Sequence, residues 1–176
     1  ALEMAVRSGR TRYVGVSNYP AWAAVHMADL LGSAIGMAGV QTEYSLLNRS
    51  AEQELIPAAQ ELGFGIMGWS ALGRGVLTGK YRNATPPDSR GASVHLAGFV
   101  APYLNDDAAR VVNAVATAAA GLERSPLEVA LAWARGSDGI DCSIVGARNT
   151  HQLRDILAAA DLQLEPQIRH VLNEVS

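Results

Sequence analysis

The order of short apolar runs and helix-like segments constrains the fold of this chain more than any other feature. The apolar runs occupy residues 13–16, 39–44, 64–69 and 142–145, and each is followed by residues with helical spacing or capping signals. Strands and helices in alternation predict βαβ units and a parallel sheet. Because the runs are short and mostly apolar, we expect both faces of the sheet to be buried.

Helix signals separate the runs and indicate one domain. The predicted helices cover residues 2–6, 20–31, 52–62, 106–120, 125–135 and 150–160. The clearest start combines Ser125 as the capping residue, Pro126 at the first helical position and Glu128 three residues after the cap. Residues 82–104 show no clear period, which predicts a long loop that is either a functional lid or a mobile surface segment.

Charge and cysteine content exclude several classes of function. The chain has 176 residues, a formal net charge of −3 and a pI near 5.8, so we expect no nucleic-acid or membrane partner. Its single cysteine, Cys142, cannot form an internal disulfide, which favours a reducing, cytoplasmic setting. The sequence contains no metal-ligand cluster, Ser/His/Asp arrangement or Walker-type loop.

Polar and glycine-rich residues follow all four predicted strands, where parallel α/β folds bind their ligands. Trp69 ends the third strand, and a glycine-rich segment with Arg74 and Lys80 follows it. An aromatic ring stacks on a flat ligand ring, and basic side chains beside open glycine backbone suit a phosphate chain. This layout is typical of a nucleotide cofactor site, and the alternative is a core tryptophan that covers the end of the sheet.

The other strand ends add hydrogen-bonding groups and one more cation. Ser17, Asn18 and Gln41 are able to bond a carboxamide such as that of nicotinamide, or else to cap turns. Arg148 directly precedes a predicted helix, so it suits a phosphate monoester such as the 2′-phosphate of NADP(H), or else acts as a solvated cap. A phosphate-sugar-binding protein that uses Arg148 is a further interpretation.

Four stretches together resemble the aldo-keto reductases, a family of (β/α)8-barrel enzymes that use NADPH to reduce carbonyl compounds. They are RYVGVSNY (12–19), VQTEYSLLNR (40–49), GIMGWSALGRGVLTGKY (65–81) and SIVGARNTHQL (143–153), in the family's order and spacing. The resemblance implies an α/β fold that is half of a TIM-type (β/α)8 barrel, with four parallel strands alternating with helices. Residues 1–176 would form a single domain, the carboxyl-terminal half with barrel strands five to eight.

The same resemblance implies an NADP(H) site and assigns its residues. Ser17, Asn18 and Gln41 would bond the nicotinamide carboxamide, and Trp69 would stack on its ring. The diphosphate path would be lined by Ser70, Leu72, Arg74 and Lys80, the 2′-phosphate held by Gly146, Ala147 and Arg148, and the adenine approached by Gln152 and Asp155. Two positions depart from the family: Ala71 stands where proline is usual, and Ile156 where an adenine-contacting asparagine is common.

The resemblance stops short of the catalytic residues. The family's catalytic Asp, Tyr, Lys and His come from the first four barrel strands, which this chain does not match. We therefore expect the whole protein to be an NADP(H)-dependent oxidoreductase with a small-molecule carbonyl substrate, and we expect this chain to be inactive alone. An open half-barrel has exposed sheet edges, so we expect a missing amino-terminal half or self-association through those edges. The alternative function is a non-catalytic nucleotide-binding or regulatory module of the same fold.

Overall fold

Strands and helices alternate along the chain in the computed structural model, which describes residues 1–176. The strands are β1 (Gly15–Ser17), β2 (Gly39–Glu43), β3 (Gly65–Trp69) and β4 (Cys142–Ile144). The helices are α1 (Leu2–Arg7), α2 (Ala21–Ile35), α3 (Leu55–Leu62), α4 (Ala97–Val100), α5 (Asp106–Gly121), α6 (Pro126–Arg135), α7 (Thr150–Ala158) and α8 (Pro166–Val175). None of these helices combines the length and the apolar character that crossing a bilayer demands. The sequence prediction contains all four strands and lacks α4 and α8.

The four strands pair in parallel with their neighbours, in the order β1-β2-β3-β4. Ser17 lies beside Gln41, while further along the sheet Glu43 lies beside Trp69 and Trp69 beside Ile144. The carboxyl ends of the strands therefore meet at one edge of the sheet. The predicted fold class, four parallel strands alternating with helices as in part of a (β/α)8 barrel, is confirmed.

Local capping explains where several helices begin and end. The Ser125 side chain accepts the N–H of Glu128 at 3.3 Å, and the Glu128 carboxylate accepts the N–H of Ser125 at 2.8 Å, so α6 begins with the predicted capping box. At the end of α3, Gly63 adopts φ 73° and its N–H donates to the carbonyl of Ala59. In α2, Gly32 leaves the helical conformation at φ 58°, directly after the predicted end of that helix.

One face of the sheet is covered by helices and the other is open. Val40 and Ile66 point into the core between sheet and helices and are fully buried. Alternate positions such as Ser17 and Gln41 are exposed or half-buried on the opposite face, and Ile144 is 37% exposed. Right-handed crossovers between strands in sequential order place their helices on the same side. The expectation of burial on both faces is therefore wrong for this chain, since its long helices cover only one.

Residues 82–104 contain more regular structure than the sequence predicts. The segment includes α4 and short 3-10 turns at Arg90–Ala92 and Ala101–Tyr103. Val100 is completely buried in the core, and the N–H of Gly91 donates to the hydroxyl of Tyr81 at 3.0 Å. These contacts fasten the segment to the rest of the domain at two points, although its sequence has no period.

A half-buried polar network fastens α8 to the loop after β2. Arg49 donates to both carboxylate oxygens of Glu52, at 2.8 and 2.7 Å, and to the carbonyl of Asn173 in α8 at 2.8 Å. Trp133 donates to the side chain of Asn173 at 2.7 Å and stacks on Tyr44, with ring centroids 5.4 Å apart. Burial raises the pKa of Tyr44, so its hydroxyl stays protonated and donates to Glu52 at 2.7 Å.

Close approach of β2 and β3 gives a test of the strand register. A Cβ added at Gly39 would lie 2.7 Å from the carbonyl oxygen of Gly65, so the strands must separate to admit it. We expect Gly39→Ala to lower the free energy of unfolding by about 1–3 kcal/mol, measured by urea denaturation with circular dichroism. Gly98→Ala is the control, because a Cβ there meets nothing within 4 Å. Unchanged stability of Gly39→Ala would contradict this register.

Candidate functional site

A groove of about 500 Å³ runs past the carboxyl ends of β3 and β4. Its walls come from the loop after β3, the start of α7 and the segment that contains α4. Most of the predicted cofactor residues line it: Trp69, Ser70, Leu72, Arg74, Lys80, Gly146, Arg148 and Gln152. The other five, Ser17, Asn18, Gln41, Ala147 and Asp155, do not line the groove.

The predicted carboxamide-binding residues lie together beside the tryptophan. Ser17 and Gln41 are neighbours in the sheet, and the N–H of Asn18 donates to the carbonyl of Gln41 at 2.8 Å. The side-chain oxygen of Asn18 accepts a 2.8 Å hydrogen bond from the indole N–H of Trp69. Asn18 has a φ of 57°, a left-handed conformation that asparagine adopts more readily than most residues. The structure thus brings these four residues together, with one Asn18 oxygen already in use.

A tight loop follows β3. Ser70 and Gly75 have φ values of 62° and 96°. The N–H of Gly73 donates to the Ser70 carbonyl at 2.7 Å, that of Arg74 to the Ser70 hydroxyl at 3.1 Å, and that of Gly75 to the Leu72 carbonyl at 2.9 Å. The sequence argument allowed the amides of the turns at Gly73, Gly75 and Gly79 to face an anion. That expectation is wrong for these three residues, since Gly73 and Gly75 donate within the loop and the N–H of Gly79 donates to the Val76 carbonyl at 3.0 Å.

The guanidinium of Arg74 is held by a carboxylate. Its Nε and Nη2 donate to Glu43 at 2.9 and 2.6 Å, and its Nη1 donates to the carbonyl of Phe99 at 2.6 Å. It also lies over the rings of Phe99 and Tyr103, 4.0 and 4.8 Å from their centroids. The hydrogen bonds to Glu43 raise the pKa of Arg74. The diphosphate role of Arg74 stays a prediction, because its charge is balanced within the protein.

Arg148 joins the end of β4 to the segment 82–104. Its backbone N–H donates to the side-chain oxygen of Gln152 at 2.9 Å, and its Nη1 donates to the carbonyl of Asp88 at 3.0 Å. No carboxylate pairs with its guanidinium, and the residue is exposed. The side-chain oxygen of Gln152 is therefore already used within this turn, whereas most of the Arg148 donors are free.

The groove concentrates positive charge that the chain as a whole lacks. Arg74, Lys80, Arg90 and Arg148 line it without any Asp or Glu, and of the four only Arg74 is in an ion pair. By contrast, a second depression of about 640 Å³, beside α2, is lined by one carboxylate, Asp29, and by no Lys or Arg. Sequence reasoning missed Arg90, since it lies in a segment without periodic signals. Three cations free of carboxylate partners make the groove suited to an anionic ligand.

Tyr44 and Tyr103 are not activated as acids. Burial raises the pKa of Tyr44, and burial together with the charge of Glu43 raises that of Tyr103. No group of three or more His, Cys, Asp or Glu side chains comes together to hold a metal ion.

The sequence matches the family model described as the aldo/keto reductase family over residues 1–175. The chain belongs to the aldo/keto reductase family. The resemblance drawn from the strand-end motifs is therefore confirmed, and residues of the third and fourth motifs (65–81 and 143–153) line the groove.

Several curated relatives are identical to this chain at about a third of the aligned positions. The uncharacterized oxidoreductase YrpG of Bacillus subtilis (strain 168) is 31% identical, over 99% of this chain and 52% of its own length. L-glyceraldehyde 3-phosphate reductase of Escherichia coli (strain K12) is 32% identical over 90% and 47%, respectively. A probable voltage-gated potassium channel subunit beta of Oryza sativa subsp. japonica is 31% identical over 92% and 51%. The chain spans about half the length of these relatives.

The Glu43–Arg74 pair gives a test of how the groove is held together. The two side chains are 11% and 15% exposed, so neutralising Glu43 leaves a half-buried guanidinium without its counter-charge. We expect Glu43→Gln to lower the free energy of unfolding by about 1.5–3 kcal/mol, measured by urea denaturation. The control is Glu174→Gln, whose carboxylate is 64% exposed beside His170 and should change stability by less than about 0.5 kcal/mol. Equal effects of the two variants would contradict a structural role for the pair.

Proposed function

We propose that this aldo/keto reductase chain is the cofactor-holding half of an NADPH-dependent oxidoreductase that reduces aldehydes or ketones. The observation that carries the proposal is the groove, which is lined by Trp69 and by the unpaired cations Lys80, Arg90 and Arg148. A flat ring followed by phosphate groups is the layout of a dinucleotide. We assign the enzyme to the cytoplasm on the single-cysteine argument alone.

The ring end of the proposed site supplies hydrogen bonds and a flat surface. The side-chain amide groups of Asn18 and Gln41 and the hydroxyl of Ser17 would orient the nicotinamide carboxamide. The indole of Trp69, fixed by its bond to Asn18, would support the ring. Bound NADPH would supply a hydride to the carbonyl carbon of the substrate.

The other end supplies positive charge and open backbone. Lys80 and Arg90 would attract the diphosphate together with Ser70, and Arg148 would hold the 2′-phosphate bidentately. A Cβ at Gly146 would meet nothing within 4 Å, so the backbone beside Arg148 is open to a ligand. The absence of lining carboxylates fits a ligand that carries several negative charges.

We propose that the proton donor comes from outside this chain. The raised pKa values of Tyr44 and Tyr103 support this, because a general acid works best with a pKa near the operating pH. The isolated chain is therefore expected to bind the cofactor with little or no turnover, and the carbonyl substrate is a small molecule that the whole enzyme recognises.

A non-catalytic nucleotide-binding or regulatory module is the second candidate function. The similarity to a probable voltage-gated potassium channel subunit beta favours it. Both candidates bind NADPH, so carbonyl-dependent oxidation of NADPH by the full-length protein separates them. A phosphate-sugar-binding protein would instead bind sugar phosphates through Arg148 without preferring dinucleotides.

We also propose that the open sheet face is covered by a second half-barrel, either the amino-terminal half of the family's barrel or another copy of this chain. β1 and β4 each have one unpaired edge, and the open face exposes Ile144. Light scattering of the isolated chain should give a mass above the 18.5 kDa of one chain. A monodisperse monomer with a cooperative melt would contradict this proposal.

Arg148→Ala tests the assignment of the 2′-phosphate. We expect the variant to bind NADPH about tenfold to hundredfold more weakly, the range of a hydrogen bond to a charged group, and to bind NADH almost unchanged. Titration with quenching of tryptophan fluorescence measures both dissociation constants.

The matched control for this titration is Arg154→Ala. Arg154 lies on α7, exposed and outside the groove, so its loss removes the same charge nearby without removing a proposed contact. Equal loss of NADPH and NADH affinity in Arg148→Ala, or an equal effect of Arg154→Ala, would contradict the assignment.

A further inference from the structure

We propose that Phe99 covers the groove-side face of Trp69, and that a flat ligand ring stacks there only after the Phe99 ring has moved aside. The inference rests on the proposed function, because it concerns the ring end of the same site. Phe99 and Trp69 line the same groove. Their ring centroids lie 6.4 Å apart and their planes differ by 13°, so the rings are nearly parallel.

The distance between the two rings leaves no room for a third. The spacing between two planes cannot exceed the distance between their centroids, here 6.4 Å. A ring inserted between them needs about 7 Å, twice the contact distance of about 3.5 Å between carbon atoms. The same face of Trp69 therefore accepts either Phe99 or a ligand ring.

The backbone of Phe99 is fixed, whereas its ring is not enclosed. Arg74 donates to the Phe99 carbonyl at 2.6 Å and is itself held by Glu43, and the adjacent Val100 is fully buried. The Phe99 side chain is nevertheless on the surface, with the residue 39% exposed, and a Cβ at the neighbouring Gly98 would meet open space. Rotation of this side chain uncovers Trp69 and gives up the contact of its ring with the Arg74 guanidinium, 4.0 Å from the ring centroid, but leaves the Arg74–Glu43 ion pair intact.

The Phe99 ring affects only ligands that place a ring on Trp69. The apparent affinity of such a ligand is its intrinsic affinity multiplied by the fraction of molecules in which Trp69 is already uncovered. Adenosine 2′,5′-bisphosphate has the phosphate groups of the other end and no nicotinamide, so its binding is independent of Phe99. The ratio of its dissociation constant to that of NADPH isolates the cost of the cover.

Phe99→Ala tests the proposal in the whole chain. We expect the variant to bind NADPH about three- to tenfold more tightly, the scale of an aromatic pair, and adenosine 2′,5′-bisphosphate equally well. The control is Val94→Ala in the same segment, because Val94 is 95% exposed. Titration calorimetry measures all the dissociation constants, and circular dichroism verifies that each variant is folded.

Fluorescence gives a readout that needs no ligand. In a Trp22→Phe background, acrylamide reaches Trp69 while Trp133, only 1% exposed, stays shielded. We expect Phe99→Ala to increase the quenching constant of Trp69, and an unchanged constant overturns the proposal.

The binding outcomes separate this inference from the proposed function. Weaker NADPH binding by Phe99→Ala would make Phe99 a stacking partner and overturn the cover, as would an unchanged ratio of the two dissociation constants. If the parent chain binds neither compound, the proposed function fails and the inference fails with it. If Phe99→Ala leaves the affinities for both adenosine 2′,5′-bisphosphate and NADPH unchanged, the inference about Phe99 is overturned but the proposed function is not.

Discussion

The parallel register of the four strands is the constraint on which the rest of the site depends. It places Trp69 between Glu43 and Ile144, so that the end of β3 has a carboxylate on one side and an apolar residue on the other. The close approach at Gly39 maintains this register at the opposite end of the sheet. A shift of the strand register by one residue would turn the side chains of Gln41 and Trp69 toward the helices, so the site would not form.

Glu43 determines which cations of the groove remain unpaired. By binding Arg74 it neutralises one of the four cations that line the groove, and Arg74 in turn donates to the carbonyl of Phe99. The cations that remain unpaired are Lys80, Arg90 and Arg148. Because charges are screened over about 8 Å at physiological ionic strength, these cations act on a ligand within the groove rather than at a distance. An acidic chain with a net charge of −3 thereby has a groove whose charged lining residues are all cations.

Features that depend on neighbours in sequence were predictable. The capping box of Ser125 and Glu128 and the ends of the parallel strands followed from spacing alone, because each signal lies within a few residues. The start of α8 also has such signals, Pro166 followed by Ile168 and Leu172 at helical spacing, and the prediction overlooked them.

Features that depend on distant residues were not predictable in this way. Glu43 and Arg74 are 31 positions apart, and no local pattern joins them. Arg90 and Phe99 lie in a segment whose position is set by the burial of Val100. The open sheet face eluded the prediction for the same reason, because apolar strand composition does not reveal which elements pack on each side.

The two ends of the groove differ in how ready they are to bind. At the anion end, Lys80, Arg90 and Arg148 lack carboxylate partners, so a phosphate displaces water and no protein charge. At the ring end, a ligand meets Trp69 stacked on Phe99, 6.4 Å away. A phosphate would therefore bind without breaking an ion pair, whereas ring binding would require the displacement of a side chain. A dinucleotide would accordingly attach first by its phosphates, which hold the nicotinamide close to Trp69 at a high effective concentration while Phe99 rotates away. The unpaired charge at one end thus offsets the cost of opening the other.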